Sequence, residues 1–217
     1  MIAKLPRWVW SGAWGLAFIA GMINIVGLLG FEHHAVTHLT GLTSNLSDAV
    51  ASGHGSDALR VLSVVGSFLA GSVLSGFLIQ DSTLKLGRRY GVALGLESLL
   101  LFGSVGLLQA QSHVGVCFAA AACGLQNAMA TTYSGATVRT THLSGMFTDL
   151  GIFLGHGCRG LPVDARRIKL CLLIILGFFC GGVAGALVFH VTGYMTLLIP
   201  ASATGLGAMV YTIRNPR

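Results

Sequence analysis

Long apolar segments alternate with short polar stretches along the whole chain. The apolar segments approach or exceed the ~20 residues that a helix needs to cross a bilayer. They predict six membrane-spanning helices, at about 8–30, 58–80, 90–110, 114–133, 168–189 and 193–213. Two longer polar interruptions lie between them, at 31–56 and 134–167. The pattern therefore predicts an all-α membrane protein.

One polar motif occurs twice, once in each interruption. Thr-His-Leu-Thr-Gly at 37–41 returns as Thr-His-Leu-Ser-Gly at 141–145. Upstream, Gly-Met-Ile-Asn at 21–24 corresponds to Gly-Leu-Gln-Asn at 124–127. Because an internal repeat fixes the architecture of a chain, we expect two copies of one unit.

The repeat boundary falls near residue 111 and gives each copy three spans. The first repeat covers 1–110 and the second covers 111–217, with re-entrant or broken-helix segments at about 36–53 and 140–156. Three crossings are an odd number, so the second repeat is expected to be inserted upside down relative to the first. In transporters with such inverted repeats, the substrate site lies near the midplane at discontinuous helices.

The positive charges support six spans. In that topology Arg60 lies on one side of the membrane and the other twelve of the thirteen Lys and Arg residues lie on the opposite side. Cytoplasmic loops carry an excess of Lys and Arg. Both termini are therefore predicted to be cytoplasmic. With eight spans the bias would largely vanish.

Composition agrees with insertion in a membrane. The chain is 53% hydrophobic and 9% charged, which leaves too little polar surface for a soluble globule. Its 31 glycines suit close helix packing in lipid, and they permit a homodimer. Gly66, Ala70 and Gly71 align with Gly177, Gly181 and Gly182 as packing positions. The net charge of +6 is explained by topology, so no nucleic-acid partner is expected.

Five cysteines, an odd number, show no CxxC pair. Neither a disulfide framework nor a zinc site is indicated, and we expect buried cysteines that act as small apolar residues. No cofactor is predicted. The expected partners are the lipid bilayer and a small solute or ion.

The candidate binding residues lie in the two motifs and at equivalent points of the first and fourth spans. Each re-entrant segment is expected to turn at its glycine and return as a short helix, from Leu42 to Ser52 and from Met146 to Leu154, with Thr40 as an N-cap. Two opposed helix N-termini would favour an anion or polar solute. The predicted substrate-binding residues are Asn24, Thr37, His38, Thr40, Gly41, Asn45, Asn127, Thr141, His142, Ser144, Gly145 and Asp149.

The titratable members of this set allow more than one role. His38 and His142 could bind solute or carry a proton, since an unperturbed imidazole titrates near pH ~6.5. They could equally be neutral and hydrogen-bonded to a carbonyl. Asp149, whose counterpart is Asn45, could take a proton or cation or stabilise its helix N-terminus.

Two further features lie outside the motifs. Glu97 is an acid within the third span, expected to be protonated, near the interface or paired with Arg88 or Arg89. A loose group of acid and histidine residues suggests a metal cluster, although solvated loop histidines are the favoured explanation. Its members are Glu32, His33, His34 and His54.

The paired motifs, together with the Gly-Met-Ile-Asn and Gly-Leu-Gln-Asn-Ala stretches before them, resemble those of the YoaK family. These are small bacterial membrane proteins of unknown function. The resemblance covers nearly the whole chain. It implies a bacterial inner-membrane protein and a permease, and it supplies no substrate.

The function favoured by the sequence is a small secondary transporter or channel-like permease for a small polar or anionic solute. The alternative is a metal or other cation permease that uses His38, His142 and Asp149. An enzyme is not expected, because Ser144 lacks a second histidine at matching depth. A structural membrane protein is the remaining possibility.

Overall fold

The computed structural model describes residues 7–79, 88–134 and 138–214. Most of these residues are helical, and none of them forms a strand. A short 3₁₀ helix, Gly193–Leu197, joins the last two α-helices. The α-helices are α1 (Arg7–Leu29), α2 (Leu39–Ala51), α3 (Gly55–Leu78), α4 (Arg88–Gln109), α5 (His113–Tyr133), α6 (Leu143–Cys158), α7 (Ala165–Thr192) and α8 (Leu198–Arg214).

Several helical stretches are long and apolar enough to cross a membrane. Among the described residues there are five: Val9–Leu29, Gly55–Leu78, Arg89–Gln109, His113–Tyr133 and Ala165–Ile213. The last stretch has 49 residues and contains both of the final two segments predicted from the sequence. The chain therefore has the helices of a multi-pass membrane protein.

Within that long stretch the α-helix is interrupted at Gly193. Helix α7 ends at Thr192, and Gly193 has φ 58° and ψ −137°. This backbone conformation is essentially restricted to glycine, because a Cβ would clash with the chain. Gly193, the first residue of the 3₁₀ helix, consequently separates α7 from α8.

Helices from the two sequence repeats pack against each other. Helix α1 packs most extensively on α7, and α3 packs most extensively on α5. In both pairs, a glycine from each helix lies so close to a backbone carbonyl of the other that an added Cβ would overlap the oxygen. Small residues permit this approach in lipid. The glycine–carbonyl contacts are Gly21–Phe178, Gly181–Phe18, Gly71–Ala121 and Gly124–Phe68.

These contacts correct the predicted alignment of the glycines. Gly71 is equivalent to Gly181 rather than to Gly182, because Gly71 and Gly181 make the matching carbonyl contacts. A Cβ added at Gly66 would have no atom within 4 Å, so Gly66 is not a packing contact. The matching contacts therefore relate the two glycines with an offset that is one residue smaller than the predicted alignment.

Contacts define two ends of the helix bundle. At the first, which we call the Glu32 end, the Phe31 N–H donates to the Tyr194 hydroxyl at 2.8 Å, and Glu32 contacts His113. At the second, the Tyr90 end, the rings of Tyr90 and Tyr133 meet edge to face with centroids 5.5 Å apart. The C-terminus of α1 and the N-terminus of α5 therefore lie together at the Glu32 end.

The two short helices begin earlier than the sequence predicts. Helix α2 starts at Leu39 and α6 starts at Leu143, so the N-cap positions belong to His38 and His142. Thr40 is therefore not the N-cap. Gly41 lies inside the first turn of α2 rather than forming a turn before it. The exposure of Cys158 and Cys180 also differs from the prediction of buried cysteines, whereas Cys123 and Cys171 are buried.

Candidate functional site

Both copies of the motif line one cavity of about 980 Å³. Asn24 of α1 and Asn127 of α5, which occupy equivalent places in the repeat, also lie on its wall. The structure therefore brings together most of the predicted binding residues. Those that line the cavity are Asn24, Thr37, His38, Thr40, Asn127, Thr141, His142 and Ser144.

The N-terminal ends of α2 and α6 face this cavity. Leu39 and Leu143, the first residues of the two helices, both line it. No side chain caps either helix at His38 or His142. The first-turn N–H groups of a helix carry roughly half a positive charge together. Two uncapped N-termini thus add positive potential to one polar space.

Each cap histidine lies over the glycine of its own motif. A Cβ added at Gly41 would stand 2.7 Å from Nδ1 of His38. A Cβ added at Gly145 would overlap the imidazole of His142. The glycines therefore leave room for the imidazoles against the first helical turn. Both histidines are exposed to the space beside them.

The asparagine–threonine contact is present in the first repeat. The side-chain oxygen of Asn24 accepts hydrogen bonds from the Thr37 N–H at 3.0 Å and from the Thr37 hydroxyl at 2.8 Å. Thr37 is 7% exposed. These two bonds attach the first motif to α1.

The equivalent contact is absent from the described part of the second repeat. The side-chain oxygen of Asn127 is buried and has no hydrogen-bond partner among the described residues. Thr141, the counterpart of Thr37, is half-buried. The second motif is therefore not attached to α5 in the way that the first is attached to α1.

The charged side chain on the cavity wall is Arg139, which is exposed. No aspartate or glutamate lines the described part of the cavity. The sequence interpretation counted Arg139 only as a topological charge. Arg139 lies two residues before the second motif, and its counterpart in the first repeat is Ala35. This place next to the motif is the sequence feature that could have predicted Arg139 on the cavity wall. The lining also includes Phe68, Ser72, Thr131 and Phe178, which no sequence motif marked.

Two predicted residues lie away from the cavity wall. Asn45 and Asp149 are exposed on α2 and α6 and are not part of the described lining. The helices contribute their first residues to the cavity, and five further residues advance a helix by roughly 7 Å. Asn45 and Asp149 are therefore beyond its rim. Gly41 and Gly145 are also not part of the described lining, but they leave the space that the imidazoles of His38 and His142 occupy.

A second polar cluster lies at the Glu32 end. Nδ1 of His113 is 2.7 Å from both carboxylate oxygens of Glu32. The carboxylate is also 3.6 Å from Arg60, and the Glu32 side chain is 6% exposed. Nε2 of His113 is 2.6 Å from the Ser63 hydroxyl. The cluster joins the segment after α1 to α3 and α5.

The imidazole of His113 lies between a carboxylate and a hydroxyl. The Ser63 hydroxyl donates to the carbonyl oxygen of Arg60 at 2.7 Å, and the same hydroxyl lies 2.6 Å from Nε2 of His113. These contacts tie the segment after α1 to α3 and α5.

His33 and His34 adjoin this cluster. Nδ1 of His33 lies 3.1 Å from the Leu28 carbonyl. Burial lowers the pKa of His34, while the Glu32 carboxylate opposes that shift and His113 adds to it. Among the described residues, no group of three or more His, Cys, Asp or Glu side chains is placed to hold a metal ion.

Glu97 of α4 is completely buried. Neither of its carboxylate oxygens has a hydrogen-bond partner among the described residues. The ionised form of such a group is very costly. The side chain of Arg88, one proposed partner, lies outside the described residues.

These features define a class: a helical, multi-pass membrane protein with a polar cavity between two short helices. The chain belongs to the DUF1275 family, a family of proteins of unknown function, whose pattern it matches over residues 12–210. No curated protein and no solved structure matches it.

Proposed function

We propose that the protein is a small secondary transporter or channel-like permease for a small anionic solute. The solute passes through the cavity between the N-termini of α2 and α6. The observation that carries this proposal is that the two motif copies, which lie far apart in the sequence, line the same polar cavity. Polar groups at membrane depth are expensive unless they serve such a space.

The charges favour an anion over a cation. Arg139 and two helix N-termini contribute positive potential, and the described lining holds no carboxylate. Helix N-termini and arginine are common partners of anions. The cation permease has less support, because Asp149 lies outside the described lining.

The proposal includes six spans arranged as inverted repeats, with α2 and α6 as re-entrant helices. A single straight helix of the length of Ala165–Ile213 would extend roughly 70 Å, over twice the ~30 Å hydrocarbon core. The interruption at Gly193 supports two crossings there. The matching glycine contacts and the opposite directions of α1 and α5 at the Glu32 end support inversion.

The proposal also puts both termini in the cytoplasm, with the Tyr90 end on that side. The concentration of Lys and Arg on one side supports this orientation. The bacterial inner membrane and the relationship to the YoaK family are part of the same proposal. They are supported by the motifs that the sequence shares with that family.

The direct test is uptake by proteoliposomes. Radiolabelled inorganic phosphate, sulfate and acetate serve as anion probes, and rubidium serves as a cation probe. We expect uptake of at least one anion above that of empty liposomes and no uptake of rubidium. Uptake of rubidium without any anion would overturn the choice of an anion.

Two glycine variants give the matched comparison. Gly145→Leu drives the added side chain into the His142 imidazole, so we expect uptake to fall to the empty-liposome level. Gly151→Leu lies on the same helix and has no atom within 4 Å of its added Cβ. It should keep parental uptake. Full uptake by a correctly inserted Gly145→Leu protein would refute the role of this motif.

A further inference from the structure

The two repeats hold the same pair of residues in different arrangements. Asn24 corresponds to Asn127, and Thr37 corresponds to Thr141. In the first repeat the asparagine oxygen accepts two hydrogen bonds from the threonine. In the second, the buried asparagine oxygen has no donor among the described residues. Since the residue types are identical, their chemistry does not explain the difference.

The unfilled acceptor on Asn127 is costly. A buried carbonyl oxygen without a donor loses its hydrogen bonds to water and gains nothing in return. A second position of the motif, with Thr141 against Asn127, would satisfy it with the same two bonds that Thr37 makes. The geometry of the first repeat shows that this contact is sterically attainable within the repeated unit.

We infer that this structure is one of two alternating states, in which the Asn24–Thr37 contact is closed and the Asn127–Thr141 contact is open. In the other state Thr141 bonds to Asn127, and Thr37 is released from Asn24. This inference rests on the proposed function, because it assigns the gates of the same cavity. The second motif follows the Tyr90 end of α5, so the present state opens toward that end.

The reciprocal state moves the opening to the Glu32 end. Both contacts closed together would isolate the cavity, and both open together would join the two sides of the membrane. Alternation of two equivalent gates around one site is what inverted repeats provide. Because the states exchange one pair of hydrogen bonds for an equivalent pair, their free energies lie close together. Small changes at either asparagine therefore shift the populations.

The test measures which side of the membrane reaches each motif. In a protein without its native cysteines, Leu39→Cys and Leu143→Cys place single reporters at equivalent positions on the cavity wall. A membrane-impermeant maleimide is applied to right-side-out and inverted vesicles. Asn24→Leu and Asn127→Leu are then introduced separately into each reporter protein. Gln109→Leu, an exposed amide at the end of α4, is the control.

The two asparagine variants should change labelling in opposite directions. Asn24→Leu should raise labelling at position 39 from the Glu32 side and lower it at position 143, by about fivefold, as expected for loss of ordinary hydrogen bonds. Asn127→Leu should do the reverse. Changes in the same direction, or an Asn127→Leu protein that behaves like the Gln109→Leu control, would overturn the inference.

A gentler pair of variants keeps the test decisive if an asparagine variant does not fold. Thr37→Val and Thr141→Val remove the hydroxyl bond and keep the backbone donor, so they should cause smaller shifts in the same opposite directions. Labelling needs no solute. Opposite shifts without uptake of any anion would uphold the two states and refute the transport proposal. Uptake without opposite shifts would refute the two states alone.

Discussion

At the scale of single residues, the same side-chain type performs different tasks in different parts of the molecule. His38 and His142 are N-cap residues whose imidazoles occupy the space left by a glycine. His113 instead connects Glu32 to Ser63 at 2.7 and 2.6 Å. Position relative to a helix N-terminus and to a carboxylate therefore decides what each histidine does.

Replacement of Glu32 by glutamine should destabilise the protein. The change removes the charge that His113 and Arg60 face, in a side chain that is 6% exposed. We expect the free energy of unfolding to fall by about 1–3 kcal/mol, the range for a charge-assisted hydrogen bond whose partners are partly exposed. Thermal unfolding in detergent measures it. Asp48→Asn, which changes an exposed carboxylate, should leave the midpoint within about 1 °C.

Acid should weaken the segment that carries His34. Burial lowers the pKa of this imidazole, so the folded protein favours its neutral form. The stability that depends on this neutral imidazole is fully present above the unfolded-state pKa of about 6.5. It is lost as the pH falls through the lower pKa of the folded state. His34→Gln should therefore show a smaller decrease in unfolding temperature between pH 7 and pH 5. An equal decrease in both proteins would contradict this assignment.

At the scale of helices, hydrophobic length predicted the long elements well. The boundaries of α1, α3, α4 and α5 lie within a few residues of the predicted spans. The reason is that a helix that crosses the hydrocarbon core requires an apolar run of matching length. The caps were harder to predict. The hydroxyl of Thr40 suggested an N-cap, yet the glycine that follows it leaves space for the His38 ring, and the helix begins at Leu39.

Contacts between distant residues were beyond the reach of sequence patterns. Glu32 and His113 are 81 positions apart, and no periodicity links them. The repeat did predict that Asn24 and Asn127 would face a common space. It could not predict that their hydrogen bonds would differ, because two identical pairs give no reason for one to be closed and the other open.

The glycines at the helix crossings should tolerate no side chain. Gly181→Ala places a Cβ against the Phe18 carbonyl, so α1 and α7 must separate, at a cost of about 1–3 kcal/mol. Gly106→Ala, with no atom within 4 Å of its Cβ, should stabilise α4 by up to about 1 kcal/mol. Unfolding midpoints of both variants test this. A Gly181→Ala protein as stable as the parent would show that the crossing can adjust freely.

At the scale of the whole molecule, the proposed topology puts both termini on the same side of the membrane. We expect a fluorescent or enzymatic reporter that works only in the cytoplasm to be active when fused at residue 1 or after residue 217. The same reporter placed in the exposed segment at Gly53, between α2 and α3, should be inactive. Opposite activities at the two termini would require an odd number of crossings.

The most extensive helix contacts of the molecule also constrain how it can be made. Helices α1 and α3 are synthesised first, but their glycine partners lie on α7 and α5. When the ribosome has completed the first repeat, neither helix has met the surface it finally covers. The amino-terminal repeat expressed alone is therefore expected to be a substrate for proteolysis. When the two repeats are translated separately but inserted into the same bilayer, they should pack together and become resistant to proteolysis.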